Sequence, residues 1–276
     1  MADVGPVAAG FWRVGLATPV LLAVAVGMHG ARGTMRAASL VWPGLALAGV
    51  AFALDLGSWH MGIHHTTMAN AALFGNAATF TFPIYGFFVA RRWPTPVQAL
   101  ALVLAGGGAA LLLGRSAELS ADHLLGDLLC LGAGMLYTFY FIGMARARTR
   151  LGPISALGLA SAIAAPGLLF SALVLGERVM PGNWWPVVAL AVSSQLIGQG
   201  LMIYALGHLS PLVIGIALLL QPIVAGATGW ALYGERPGPV EIAGAVLIAV
   251  ALVLVRRPPR AKPAADFNAG ENMRKG

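Results

Sequence analysis

The sequence predicts an all-α transmembrane protein of about nine helices, and three observations favour that fold class. Of its 276 residues, 58% are hydrophobic and only 10% are charged, whereas soluble domains are about 45–50% apolar and about 25% charged. The apolar residues fall into runs of roughly 20, the length that a helix needs to cross a hydrocarbon core of about 30 Å. The links between the runs are short and carry glycine or proline, so none can hold a soluble catalytic domain.

Helices are the only segment type that fits these runs. The runs are about twice the length of a barrel strand and show no sustained alternation of apolar and polar residues. The expected spans are residues 11–29, 39–62, 67–89, 95–114, 124–144, 154–175, 184–206, 211–233 and 238–255.

The basic residues predict the orientation of these spans. With the C-terminal tail placed in the cytoplasm, seven basic residues lie in the inside links and six in the tail, against three in the outside links. Cytoplasmic links carry the excess of Lys and Arg, so we expect an integral protein of the bacterial cytoplasmic (inner) membrane with its N-terminus outside. The net charge of +7 is explained in this way, without nucleic acid as a partner. The single cysteine, Cys130, permits no disulfide framework and no paired-cysteine metal motif.

The chain also contains an internal repeat. The Gly5-Pro6 pair and Pro19 match Gly152-Pro153 and Pro166 at an offset of 147, and at an offset of 144 Asp55 falls on Gln199 and Arg92 on Arg236. The repeat unit has five helices, and because five is odd, consecutive copies cross the membrane in opposite directions. Secondary transporters with such inverted repeats bind substrate near the midplane, between the halves.

The repeat divides the chain into three parts. Residues 1–114 form the first repeat with four helices, residues 115–255 the second with five, and residues 256–276 a disordered cytoplasmic tail. The first helix of a ten-helix plan is expected to be missing, as it would be if the start had been placed too late.

Four stretches carry a family resemblance. They are Gly126 to Leu129 leading to Leu136 to Tyr140, then Phe11 to Val14, then Tyr204 to Pro211, and finally Gln221-Pro222 with Gly234-Glu235-Arg236. With them the chain resembles the drug/metabolite transporter superfamily, in the EamA-type branch of ten-helix transporters. The first half departs from the pattern, with Ala78 or Thr79 at the expected proline and Arg91 at the expected glutamate. The resemblance implies a secondary transporter of small metabolites or drugs, more often an exporter.

Asp55 is the strongest candidate site residue, because a charge inside a span costs at least about 2.5–3.5 kcal/mol. One interpretation is a cavity-facing carboxylate that binds a cationic part of a substrate or a coupling proton. The alternative is a protonated Asp that holds two helices together by a hydrogen bond. Its repeat mate, Gln199, is also polar, which favours a cavity between the two.

Other polar and aromatic side chains within the spans suggest an amide-lined and aromatic pocket. Beside Asp55, the predicted lining residues are Trp59, Asn70, Asn76, Tyr137, Tyr140, Gln195, Gln199, Tyr204 and Gln221. The alternative for each residue is a hydrogen bond between helices, worth about 0.6 kcal/mol.

Arg13 and three prolines are expected to act at gates or kinks. Arg13 either snorkels to the interface or pairs with an acidic partner near an outer gate. Pro19, Pro166 and Pro222 lie within spans, where a proline removes a backbone hydrogen bond. The histidines at 60, 64 and 65 indicate a solvated outer turn rather than a metal site, since no carboxylate or cysteine completes one.

The sequence therefore favours a transporter over other classes. No Walker A motif occurs, and we expect no cofactor and no metal. An intramembrane enzyme lacks the second deep carboxylate, the zinc motif or the activated serine that it needs, whereas a non-transporting membrane module or truncated remnant stays an alternative. The expected partners are the lipid bilayer and a small-molecule substrate, and a coupling proton and a homodimer are compatible with this interpretation.

Overall fold

The computed structural model describes residues 3–113, 120–233 and 238–256. The regular structure within these ranges is entirely helical, so the all-α prediction is confirmed. The predicted tail after Arg256 and the motif residues 234–236 lie outside the described residues. The helices are α1 (Pro6–His29), α2 (Ala31–Leu40), α3 (Trp42–Gly62), α4 (Met68–Gly75), α5 (Ala78–Ala90), α6 (Pro96–Leu113), α7 (Leu124–Leu151), α8 (Pro153–Val174), α9 (Trp185–Leu190), α10 (Gly200–Ala205), α11 (Pro211–Leu218), α12 (Leu220–Tyr233) and α13 (Pro239–Arg256).

Eight segments of the described chain are long and apolar enough to cross a membrane. They correspond to the first eight predicted spans, and the ninth, Pro239–Val255, is a shorter apolar helix. Two of the eight, Met68–Ala90 and Pro211–Thr228, are each built from two consecutive helices. The chain is thus an integral membrane protein.

The link predicted between the first two spans is a helix instead. The chain turns at Gly30, which has φ +70°. Its N–H donates to the carbonyl of Val26 at 2.8 Å and ends α1. The next ten residues, Ala31–Leu40, then form α2, which buries Thr34 and Ala38. The sequence predicted a short link at this point rather than a helix, and the residue with positive φ is Gly30.

Two spanning segments are broken near their middles. Between α4 and α5, the Ala72 carbonyl accepts both from the Asn76 side chain at 2.6 Å and from the Asn76 backbone N–H at 3.3 Å, at the point where α4 ends. Between α11 and α12 the break falls at Leu219, three residues before Pro222. A proline ring clashes with the carbonyl four residues earlier, here that of Leu218, where α11 ends. The two breaks lie at corresponding positions of the predicted repeat.

Glycines set the closest helix contacts. On α3 and α7, a Cβ built on Gly143 would lie 2.5 Å from the carbonyl oxygen of Gly44, and one on Gly62 would lie 2.6 Å from Cys130 Sγ. On α6 and α13, a Cβ on Gly108 would lie 2.7 Å from the carbonyl of Gly244. Small residues allow this approach in membranes, where helices associate by packing rather than by hydrophobic exclusion.

The packing also joins predicted repeat mates. Helix α1 contacts α8, α5 contacts α11, and α6 contacts α13. Helix α7 packs mainly along α3. This pairing agrees with the repeat, whose boundaries stay a prediction.

Candidate functional site

A cavity of about 490 Å³ lies between α1, α3, α7 and the segment Trp185–Ala205. The broken segments reach it through one residue beside each break, Gly75 and Gln221. Its lining combines two opposite charges with amides and aromatic rings. The polar and aromatic lining residues are Arg13, Phe52, Asp55, Trp59, His60, Tyr137, Ser194, Gln199 and Gln221.

Arg13 is held in the cavity by a chain of side chains. Its Nε donates to Gln195 Oε1 at 3.3 Å, and Gln195 Nε2 donates to Ser161 Oγ at 3.1 Å. Gln195 is fully buried, and the Arg13 guanidinium carbon stands 5.5 Å from the centroid of the Phe52 ring. Of the two interpretations of Arg13, snorkelling to the interface is therefore wrong, because the side chain turns inward.

Asp55 faces the same cavity from α3. It shares a helix face with Phe52 and Trp59, since residues three and four apart are neighbours on a helix. Within the described part of the chain, its carboxyl group forms no ion pair within 4.0 Å. The side chains of Arg13 and Asp55 thus line one cavity without pairing with one another.

The amide of Gln199 lies on the opposite side. Its Nε2 donates to Tyr137 Oη at 3.0 Å, and its Oε1 is buried without a partner among the described groups. The backbone here, Ala191–Gln199, is a π-helix. Such widened turns are rare and recur at functional sites, and this one brings Ser194, Gly198 and Gln199 to the cavity wall.

An aromatic cluster closes one end of the cavity. The Tyr140 ring stacks on Phe52 with centroids 4.6 Å apart and on Tyr137 at 5.5 Å, and Phe141 packs against Phe82 at 5.2 Å. Tyr140 is fully buried, and its hydroxyl has no partner among the described groups. It therefore forms a wall behind the lining rather than part of it.

The structure thus brings together some of the predicted lining residues and not others. Asp55, Trp59, Tyr137, Gln199 and Gln221 line the cavity, and Gln195 supports it from behind.

Asn70, Asn76 and Tyr204 lie away from the cavity. Asn70 is buried and donates through Nδ2 to both carboxylate oxygens of Asp127, at 3.0 and 3.2 Å. Asn76 bonds backbone at the α4–α5 break. Tyr204 is 55% exposed and stacks on His208, because the outer face of α10 points away from the bundle.

The predicted kinks differ among the prolines. Pro19 and Pro166 lie inside the unbroken helices α1 and α8. Pro222 follows the break at Leu219 and accounts for it, as described above.

Sequence reasoning missed two features. The prediction that His60 lies in a solvated outer turn is wrong: it lies on α3 and lines the cavity, and its Nδ1 bonds the Leu56 carbonyl at 2.6 Å. Asp127 is a second buried carboxylate, accepting from Thr66 and Asn70. Because Asp127 lies near the end of a predicted span, the sequence did not indicate that its side chain is buried.

The sequence comparisons agree with this architecture. The model of the EamA-like transporter family matches residues 124–257. The threonine/homoserine exporter RhtA of Escherichia coli (strain K12) is 31% identical over 180 residues, which cover 63% of this chain and 59% of that relative. The chain belongs to the drug/metabolite transporter superfamily. The matched family and relatives are transporters by name, which supports the expectation that this member is not an enzyme.

Two further similarities concern other proteins of known name or structure. The pseudopaline exporter CntI of Pseudomonas aeruginosa (strain UCBPP-PA14) is 26% identical over 224 residues, covering 78% of this superfamily member and 75% of CntI. A crystal structure of another protein matches with a TM-score of 0.76 over 92% of this chain and 88% of that chain, at 14% identity, a likeness of fold alone. The chain spans 59% of the length of RhtA.

Proposed function

We propose that this superfamily member is a secondary transporter that exports small zwitterionic metabolites by alternating access between its two repeats. The observation that carries the proposal is the pair of broken helices. Both breaks lie at corresponding positions of the two repeats, and both deliver a residue, Gly75 or Gln221, to one central cavity. Discontinuous helices at matched positions are the strongest local pointer to a transporter's binding site.

The charges of the cavity favour a zwitterion. A charge in a membrane span is costly unless it is paired or wetted, and Arg13 and Asp55 stand on either side of the same space. A substrate carboxylate would take the Arg13 guanidinium, which Gln195 already orients, and a substrate ammonium would take Asp55. One small molecule then neutralises both charges. The relative RhtA is named for threonine and homoserine, which carry these two groups.

The amide and aromatic residues would hold the rest of the substrate. Gln199 lines the cavity and its Oε1 is a buried acceptor without a partner among the described groups, so a rotation of its side chain toward the cavity would let a hydroxyl of the substrate satisfy it. The ring of Trp59 lies against Gly75, whose built Cβ would approach Trp59 Nε1 to 3.2 Å. Rearrangement at the α4–α5 break would therefore move Trp59 together with the cavity wall.

The test is solute exchange in proteoliposomes that contain the purified chain. The panel comprises threonine, the amino alcohol that lacks its carboxylate, and the hydroxy acid that lacks its ammonium. We expect threonine to exchange, and we expect Arg13→Gln and Asp55→Asn to slow it about 10- to 100-fold, the cost of one charge-assisted hydrogen bond. Arg36→Gln, which removes an exposed charge on α2, is the control and should exchange normally.

Two results would contradict the proposal. Movement of no solute from the panel would remove the transporter assignment for this chain. Exchange of the amino alcohol or hydroxy acid as fast as threonine would remove the zwitterion and leave transport intact. A separate measurement of uphill transport at several pH values tests whether Asp55 also carries a coupling proton.

A further inference from the structure

A groove on the surface of the helix bundle, between the end of α5 and α6, shares no lining residue with the central cavity. Its volume is about 570 Å³, and its wall is apolar, with Ile84, Phe88 and Leu102 along its length. Ile84 is 61% exposed and Phe88 82% exposed, so both face the surroundings of the bundle. In a membrane, those surroundings are acyl chains.

Two arginines and a tryptophan form the mouth of this groove. Arg91, Arg92 and Trp93 follow the last residue of α5 and all line it. Within the described residues, neither arginine forms an ion pair with a carboxylate. Ile84 lies seven residues before Arg91, which sets the apolar wall roughly 10 Å along the helix from the charges. The groove is thus basic at one end and apolar at the other.

The backbone holds the first arginine in an unusual conformation. Arg91 has φ +50° and ψ +40° and closes α5 with its N–H on the Phe88 carbonyl, while the N–H of Arg92 bonds the Phe87 carbonyl. Glycine is the usual residue at this point of such a helix end, because a side chain is strained there. An arginine rather than a glycine at this strained position indicates a role for its side chain.

Comparison with the predicted repeat shows that the pair of arginines is particular to the first half of the chain. The corresponding pair in the second repeat is Glu235-Arg236, and the family pattern also expects a glutamate at position 91. Arg91 therefore replaces a neutral acid–base pair by two positive charges. The central cavity uses neither of them.

We infer that this groove is a binding site for one anionic phospholipid. The phosphodiester binds the guanidinium groups of Arg91 and Arg92, for which the planar fork of arginine is well suited. An acyl chain lies along Ile84, Phe88 and Leu102, and Trp93 lies at the interface, where indole rings concentrate. Basic pockets between membrane helices bind anionic headgroups in this manner. The inference does not depend on the proposed transport function.

Native mass spectrometry of the purified full chain tests the inference. The chain is delipidated in detergent and mixed with phosphatidylglycerol and phosphatidylcholine of identical acyl chains, and retained lipids are counted. We expect preferential retention of one phosphatidylglycerol, and we expect Arg91→Gln with Arg92→Gln to reduce it roughly 30-fold, about fivefold for each charge. The matched control is Arg146→Gln with Arg150→Gln, which removes two exposed charges from the end of α7 and should leave retention unchanged.

Equal loss in the control pair would overturn the site, because general positive charge would then explain the preference. Equal retention of both lipids by the unchanged chain would overturn it as well. A second variant, Leu102→Trp, fills the groove and leaves both arginines in place. We expect it to lower phosphatidylglycerol retention with an unchanged unfolding midpoint, and undiminished retention would refute the acyl-chain position.

Discussion

Replacing Gly143 by alanine tests the close packing of α3 against α7. The new methyl group would lie 2.5 Å from the Gly44 carbonyl oxygen and 2.7 Å from the Ala48 backbone nitrogen. Both are backbone atoms, so no side chain can swing away and the helices must separate. Overpacking of this kind costs about 1–3 kcal/mol. Alanine also gains about 0.5–1 kcal/mol over glycine within a helix, which leaves a net destabilisation of about 0–2.5 kcal/mol.

Gly132 on the same helix supplies the matched control. Nothing lies within 4 Å of a Cβ built there, so Gly132→Ala keeps the helix gain without the clash. We expect this variant to unfold at the same temperature as the unchanged chain or slightly above it. The difference between the two variants therefore isolates the α3–α7 contact from helix propensity.

The single cysteine of the chain makes the assay direct. Cys130 is fully buried on α7, and a Cβ on Gly62 of α3 would touch its sulfur at 2.6 Å. A thiol-reactive dye in a thermal ramp in detergent therefore labels the protein when α3 leaves α7. At about 2–4 °C per kcal/mol, the clash of about 1–3 kcal/mol should set the midpoint of Gly143→Ala roughly 2–12 °C below that of Gly132→Ala. Equal midpoints of the two variants, or a higher one for Gly143→Ala, would refute the packing argument.

Three further predictions use other parts of the structure. Tyr140→Phe should be neutral or stabilising by up to about 1 kcal/mol, because it removes a buried hydroxyl that has no partner among the described groups. Tyr137→Phe should cost about 1 kcal/mol, because it removes the hydroxyl that accepts a hydrogen bond from Gln199. Thermal unfolding midpoints of the two variants test this difference. Asp127→Asn should lower the free energy of unfolding by about 1.5–3 kcal/mol, because the carboxylate accepts hydrogen bonds from Thr66 and Asn70. The control is Asp122→Asn, in the exposed turn before α7. Equal unfolding midpoints of the two variants would contradict the prediction. Gln195→Ala should raise the substrate concentration for half-maximal exchange more than it lowers the maximal rate, because it frees Arg13 rather than removing it; a pure loss of rate would count against a positioning role.

Much of the fold follows from the sequence because each membrane helix can be recognised from its own run of apolar residues. A run of about 20 apolar residues has no other stable form in lipid, so the spans could be placed without knowledge of their contacts. The exception, α2, is short and amphipathic, and its apolar content is too low for a span. It begins after Gly30, which has a positive φ. The sequence alone does not show which of the neighbouring glycines ends α1.

The site was less predictable because it depends on which way each side chain turns. Asp55 and Gln199 could be placed by the repeat, and both line the cavity. Asn70 could not, because its direction is fixed by Asp127, fifty-seven residues away in the chain. Arg13 turns inward because Gln195 and the Phe52 ring receive it there, and both contacts are long-range. A span boundary says nothing about such pairs.

Helix α7 connects the two repeats in a way that the sequence repeat alone does not suggest. At one end, Asp127 bonds Thr66 in the turn between α3 and α4. At the other end, the Arg148 guanidinium occupies the space beside Gly207, where a built Cβ would overlap it, in the turn between α10 and α11. The predicted repeat makes these two turns mates, with Thr66 on Ser210. One helix thus contacts both turns, each at a different one of its ends. Because α7 also carries Tyr137 and Tyr140 at the cavity, we expect a movement of either turn that displaces this helix to change the cavity as well.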